Sequence, residues 1–265
     1  MGGKMHNQFT VVHQAILAIL YLAACAQAFV RSTCSHLDSR PLLPIILSRP
    51  PFPAMLGIQV PGSFPKTQPR ASALDGVDSK DYKFYVNRGM GRFKQGKVGD
   101  SIEDFDKATV LNPRVKPFMW QRGLSLYYAD RFEDGAKQFR EDVEVNPNDT
   151  EEAIWAFLCE SQLPSIGFDG AQKHILPIPN ERRPVMKVAY DLFKGKATCE
   201  DLAQAGTASE GSSFYANLYL GLYHEAKKEN DLARLYINAA VKSKYSISGD
   251  YMWYLAKVHK EIRQW

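Results

Sequence analysis

From about Leu74 to Trp265 the apolar residues recur in steps of three and four, the spacing that gathers side chains on one face of a helix. Val98, Ile102, Phe105 and Thr109 are followed, in the same order and at the same steps, by Phe132, Ala136, Phe139 and Val143. The pattern predicts helix pairs at about 82–113 and 116–147, with turns near Gly96-Lys97 and Asp130-Arg131. Pro113 and Pro147 close the second helices, because a proline ring cannot continue the hydrogen-bond ladder. A degenerate pair is expected over 149–176. Asp149 or Thr150 is its N-cap, Glu151 and Glu152 lie in the first turn, and Ile154, Trp155, Phe157, Leu158 and Leu163 form the apolar side. A proline-flanked break spans Pro177 to Pro184. Further helices follow within 185–205, a pair at 212–243 and a terminal helix at 250–263 that would cover the last open face.

The first two pairs are copies of each other at a period of 34 residues. Phe84, Arg88, Gly89, Asp100, Phe105, Asn112 and Pro113 recur as Phe118, Arg122, Gly123, Asp134, Phe139, Asn146 and Pro147. A glycine inside a helix costs about 1 kcal/mol relative to alanine. Gly89 and Gly123 are therefore read as points of close helix approach, with Phe105 and Phe139 filling the space between the paired helices. Gly221, Ala233, Ile237 and Ala240 take the same places in the last pair. Tyr85, Gly89, Ser101, Phe105, Ala108 and Pro113 resemble the tetratricopeptide repeat, whose period is also about 34 residues. The second copy departs from the repeat at Gly135 and Asp142. The resemblance implies an all-α, right-handed helix-pair solenoid with a C-terminal capping helix.

A closer resemblance is carried by Asn146 to Asp149 with Ile154 and Trp155, by Leu192 to Gly195, and by Phe214 with Leu220 to Tyr223. These look like a family of bacterial envelope lipoproteins, tetratricopeptide adaptors for processing proteases and wall hydrolases, and like plastid tetratricopeptide proteins. The resemblance implies adaptor work and carries no catalytic residue across.

Charge divides the chain in two. Residues 1–73 hold Lys4, Arg31, Arg40, Arg49, Lys66 and Arg70 against Asp38, while the remainder has 27 basic and 28 acidic residues. The near-neutral folded part lacks the clustered cations of a nucleic-acid-binding surface. Residues 1–28 read as a signal peptide, with Lys4, an apolar stretch from Val11 to Ala24, and a small-x-small end at Ala26-Gln27-Ala28. Residues 29–73 are arginine- and proline-rich and acid-poor, as a disordered transit segment would be. Ala26 to Val30 resembles the junction of a bipartite plastid presequence, which implies import into a plastid and removal of both parts. The alternative is a lipobox at Leu22 to Cys25, with Cys25 lipidated in an envelope protein. No stable transmembrane span is expected after processing.

Catalytic and cofactor chemistry finds little support. Gly91 to Val98 nearly spells a phosphate loop, but Val98 stands where a hydroxyl should hold magnesium and no strand precedes it. His174, His224 and His259 form no zinc-binding spacing, and they read as solvated or packed. Cys159 and Cys199 lie far apart and read as small buried residues. The expectation is a protein that is not an enzyme, with no cofactor or metal; an enzyme of unrecognised type is the alternative. In tetratricopeptide proteins the first helices line a concave surface. The matching positions are Val86, Met90, Phe93, Trp120, Leu124, Tyr127 and Tyr128. They predict an apolar, aromatic groove for an extended or helical peptide of a protein partner, with Trp120 and Tyr127 as anchors.

Overall fold

The structure, a computed structural model, describes residues 78–265. The presequence readings over 1–73 lie outside the described residues, as do Leu74 to Val77. Among the described residues there are α-helices and short 3-10 turns and no strand. The helices are α1 (Tyr82–Lys94), α2 (Val98–Leu111), α3 (Trp120–Tyr128), α4 (Phe132–Val145), α5 (Thr150–Gln162), α6 (Gly167–Lys173), α7 (Pro184–Phe193), α8 (Cys199–Ala205), α9 (Glu210–Ala226), α10 (Asn230–Lys242) and α11 (Tyr251–Ile262). None is long and apolar enough to cross a membrane.

Side-chain caps set several of the starts. Asp81, Asp149 and Asp250 each accept a hydrogen bond from the backbone N–H two residues on, satisfying an amide that the helix leaves orphaned. Thr198 and Asp201 close a reciprocal capping box around the start of α8. One element departs from the expected pattern. Residues Pro113–Phe118 form a 3-10 turn containing Pro117, so α3 starts only at Trp120. Proline at 117 disfavours α geometry in the residue before it.

The paired helices close on the glycines named above. A Cβ added at Gly89 would lie 2.9 Å from Cε1 of Phe105, at Gly123 2.6 Å from Cζ of Phe139, and at Gly221 2.7 Å from Cδ1 of Ile237. In each pair the backbone of one helix rests on a large side chain of the other. The polar positions also repeat. Arg88 donates to Asp104 from Nη2 at 2.7 Å and from Nε at 3.0 Å, a buried charged pair between α1 and α2. One period later Arg122 faces Gln138 at 3.3 Å and turns to Asp106 at 2.6 Å. A neutral amide thus stands where the first repeat buries a carboxylate.

This packing separates two glycines of the same first repeats. Gly123→Ala drives a methyl into the Phe139 ring and is expected to cost roughly 1–3 kcal/mol, the range for overpacking. Gly99 has nothing within 4 Å of an added Cβ. Gly99→Ala is expected to be neutral or to stabilise by up to about 1 kcal/mol through helix propensity alone. Chemical denaturation of both variants checks the contrast. Equal stabilities would contradict close approach at Gly123.

The terminal helix does more than cover the last pair. α11 packs on α10 and also on α1. Its buried residues are Tyr251, Met252, Leu255, Ala256, Val258 and His259. At about 3.6 residues per turn they fall on one broad face, a little under half of the helix circumference.

Candidate functional site

The expected groove is built from the first helices of the first two repeats. α1 brings Val86, Met90 and Phe93 to this face, and α3 brings Trp120, Leu124, Tyr127 and Tyr128. Val86 and Met90 are half-buried. The other five are buried, with Phe93, Leu124 and Tyr127 at 0% exposure and Trp120 and Tyr128 at 6%. The expectation that Trp120 and Tyr127 stand open as anchors is corrected on this point. Tyr251 of α11 covers Trp120, while Tyr127 packs against Phe132 and Trp155 with its hydroxyl on Glu225.

The contacts are aromatic and specific. Tyr251 stacks on Phe93 at 5.5 Å between centroids and meets Trp120 edge-on at 5.2 Å. Tyr127 and Tyr128 pack behind these against Trp155 of α5, at 5.3 and 6.3 Å. Such pairs add about 0.5–1.5 kcal/mol beyond the area they bury. Lys94 lies over Tyr254 at 4.6 Å, and its pKa falls because the ammonium is partly buried.

A polar network runs under the C-terminal end of this interface. The Tyr128 hydroxyl meets Nδ1 of His259 at 3.0 Å. The Tyr127 hydroxyl donates to Glu225 at 3.1 Å, and Arg263 Nε donates to the same carboxylate at 2.5 Å. Burial pushes His259 down to about 4, against the pull of Glu225, so the imidazole is neutral near pH 7. Its Nε2 stands 3.7 Å from Glu225, too far for a hydrogen bond, and finds no other partner. The Tyr251 hydroxyl is likewise buried without one. Each orphan of this kind costs about 1–3 kcal/mol. Two of them lie on the buried face of α11, so the helix fits its seat imperfectly.

Beside this network opens a cleft of about 490 Å³, lined by Asp130, Phe132, Gln162, Glu225, Lys228, Asn230, Arg263 and Trp265. It gathers the ends of α3, α9 and α11. Its charges are of both signs, and Glu225 and Arg263 already neutralise each other. Among the described residues no group of three or more His, Cys, Asp and Glu side chains could hold a metal ion.

Local periodicity did not foretell the helix that covers Phe93, Trp120 and Tyr128. Tyr251 and His259 face residues more than a hundred positions earlier, and periodicity carries no information at that range. One signal was present: a cap whose outer face meets water should be polar on that side, whereas Tyr251 to Ala256 is almost wholly apolar. Glu151 and Glu152, read as first-turn acids, are both buried. Glu151 accepts from Arg183 at 2.9 Å and from Tyr219 at 2.9 Å. Glu152 faces Asp142 of α4, and the outer oxygens Oε2 and Oδ2 of the two have no hydrogen-bond partner.

No family model matches the chain, and no curated protein matches it.

Proposed function

We propose that the chain is a non-catalytic tetratricopeptide-type adaptor that binds an amphipathic helix of a protein partner, serving complex assembly or proteolysis in a plastid. The observation that supports this reading is the seating of α11. The aromatic face of α1 and α3 already holds one helix, through Phe93, Trp120 and Tyr128. A partner helix with aromatic and aliphatic residues at the spacing of Tyr251, Leu255 and Val258 would use the same contacts. In this reading α11 is the resident occupant, and its two orphaned polar atoms keep its hold within reach of competition.

The test uses the full chain and a fluorescent synthetic peptide of residues 249–265. Anisotropy is expected to show slow binding, limited by departure of α11. The Tyr251→Ala variant weakens the resident helix only, so it is expected to bind the peptide more tightly. A single aromatic anchor contributes on the order of 2 kcal/mol, or about thirtyfold in affinity. If neither protein took up the peptide, the face would be closed core and the adaptor reading would lose its binding surface.

A further inference from the structure

We propose that Cys199, His224 and Glu229 form a base-activated thiol site that reacts with hydroperoxides, independent of the adaptor reading. Three segments converge to build it. Cys199 is the first residue of α8 and is partly exposed. His224 lies in the last turn of α9 at 6% exposure. Glu229 sits in the turn before α10. Sγ of Cys199 is 3.7 Å from Nε2 of His224, and Nδ1 of His224 is 2.5 Å from Oε2 of Glu229. Nucleophile, base and orienting carboxylate stand in line, the arrangement by which a weak thiol or hydroxyl nucleophile is activated.

The imidazole is fixed on its other sides as well. Tyr236 lies parallel to it at 5.5 Å, and Tyr223 meets it edge-on at 5.9 Å. Lys227 binds the far oxygen of Glu229 at 3.2 Å. With the carboxylate on Nδ1, that nitrogen carries the ring proton, and the Nε2 lone pair faces the thiol. Burial pushes the Cys199 thiol up, with Glu200 and Glu229 adding to it and Lys227 opposing. The sulfur therefore rests as a protonated thiol, and His224 must take its proton as it reacts.

A hydroperoxide suits this geometry because it asks for little else. Sγ attacks one peroxide oxygen, the S–O bond forms and the O–O bond breaks. The thiol proton passes through Nε2 to the departing oxygen, which leaves as water from hydrogen peroxide or as an alcohol from an organic peroxide. Sulfur loses two electrons, the peroxide gains them, and Cys199 becomes a sulfenic acid. Cys159 offers the contrast within the same molecule: it is fully buried, and burial raises its pKa well above the ordinary value.

The experiment treats the full chain with hydrogen peroxide, traps sulfenic acid with dimedone and reads each cysteine by peptide mass spectrometry. Cys199 is expected to react about tenfold or more faster at pH 7 than the same cysteine in a free peptide of residues 197–203, a modest share of what a positioned base can supply. His224→Gln and Glu229→Gln are each expected to bring the rate toward the peptide value and to steepen its dependence on pH, since only thiol ionisation then remains. Cys159 staying unlabelled shows that a variant is folded, and Glu229→Gln decides if His224→Gln exposes it. Peptide-like reactivity of Cys199 in the native chain would overturn the proposal, as would an undiminished rate in a folded variant.

Discussion

A Trp120→Ala variant is expected to lose roughly 3–5 kcal/mol of stability, the range for removing a large core aromatic. Its melting temperature should fall by roughly 10 °C, since 1 kcal/mol is worth about 2–4 °C in a domain of this size. The reason is the burial of the indole between α1, α3 and α11, with the Tyr251 ring edge-on against it. Phe139→Ala, which empties the space above Gly123, should fall in the same range. Val110, exposed at 75% on α2, serves as the control, and its alanine variant should stay within about 0.5 kcal/mol of the native chain. Thermal unfolding followed by circular dichroism separates the cases. If Trp120→Ala melted beside Val110→Ala, the indole would be standing free, and the seating of α11 would be wrong.

The second large effect is a dependence on pH. Burial pushes the carboxyls of Glu152 and Asp142 up, and the carboxylates of Asp149 and Glu151 press Glu152 further in the same direction. Arg183 is the cation on this side, and it is engaged with Glu151 and Glu181 at 2.9 and 2.8 Å. A carboxyl whose pKa is raised by folding holds its proton longer in the folded chain than in the unfolded one. The stability it contributes is complete below the unfolded pKa of about 4 and is lost as pH rises through the folded value. Glu152→Gln keeps the shape and removes one of these titrations. The variant is expected to be more stable than the native chain at pH 8 by about 1–3 kcal/mol, the usual cost of a buried polar group left uncompensated. The difference should vanish toward pH 4. Melting curves across this span check it, and a stabilisation that persisted unchanged at pH 4 would assign the effect to packing instead.

The sequence made the helix pairs readable because their determinants are local. Gly89 with Phe105, and Gly123 with Phe139, lie 16 residues apart, and the repeat displays each pair twice. Gly221 with Ile237 could be placed by the same register. The start of α5 at Asp149 or Thr150 was equally local, and Asp149 is the cap, since a carboxylate before an apolar stretch satisfies amides only two residues away. What covers the first helices was not legible. Trp120 and Tyr127 are both buried, and whether a ring on a first helix is wet depends on partners, Tyr251 above all for Trp120, that local spacing cannot place. The same limit hid the Cys199 arrangement. No motif spaces a cysteine and a histidine 25 residues apart, and only the packing of α8 on α9 brings them together. Asp142 shows a third case. It stands one period after Ala108, and local spacing gives no sign that α5 sets Glu152 against it.

The return of α11 to the first helix also bears on how the chain is made. In an open array each repeat touches only its neighbours, so units can be added or lost and folding can spread from any of them. Here Tyr128 reaches His259 across 131 residues, and α1 packs on a helix that is synthesised long after it. Until α11 leaves the ribosome, Phe93 and Trp120 lack the Tyr251 ring and Tyr128 lacks His259, and a nascent chain with such rings uncovered is prone to associate with others. Inserting one more pair into the array would move α11 off its seat. The closure therefore fixes the number of helix pairs, and makes the docking of α11 the point at which the N-terminal half becomes safe from aggregation.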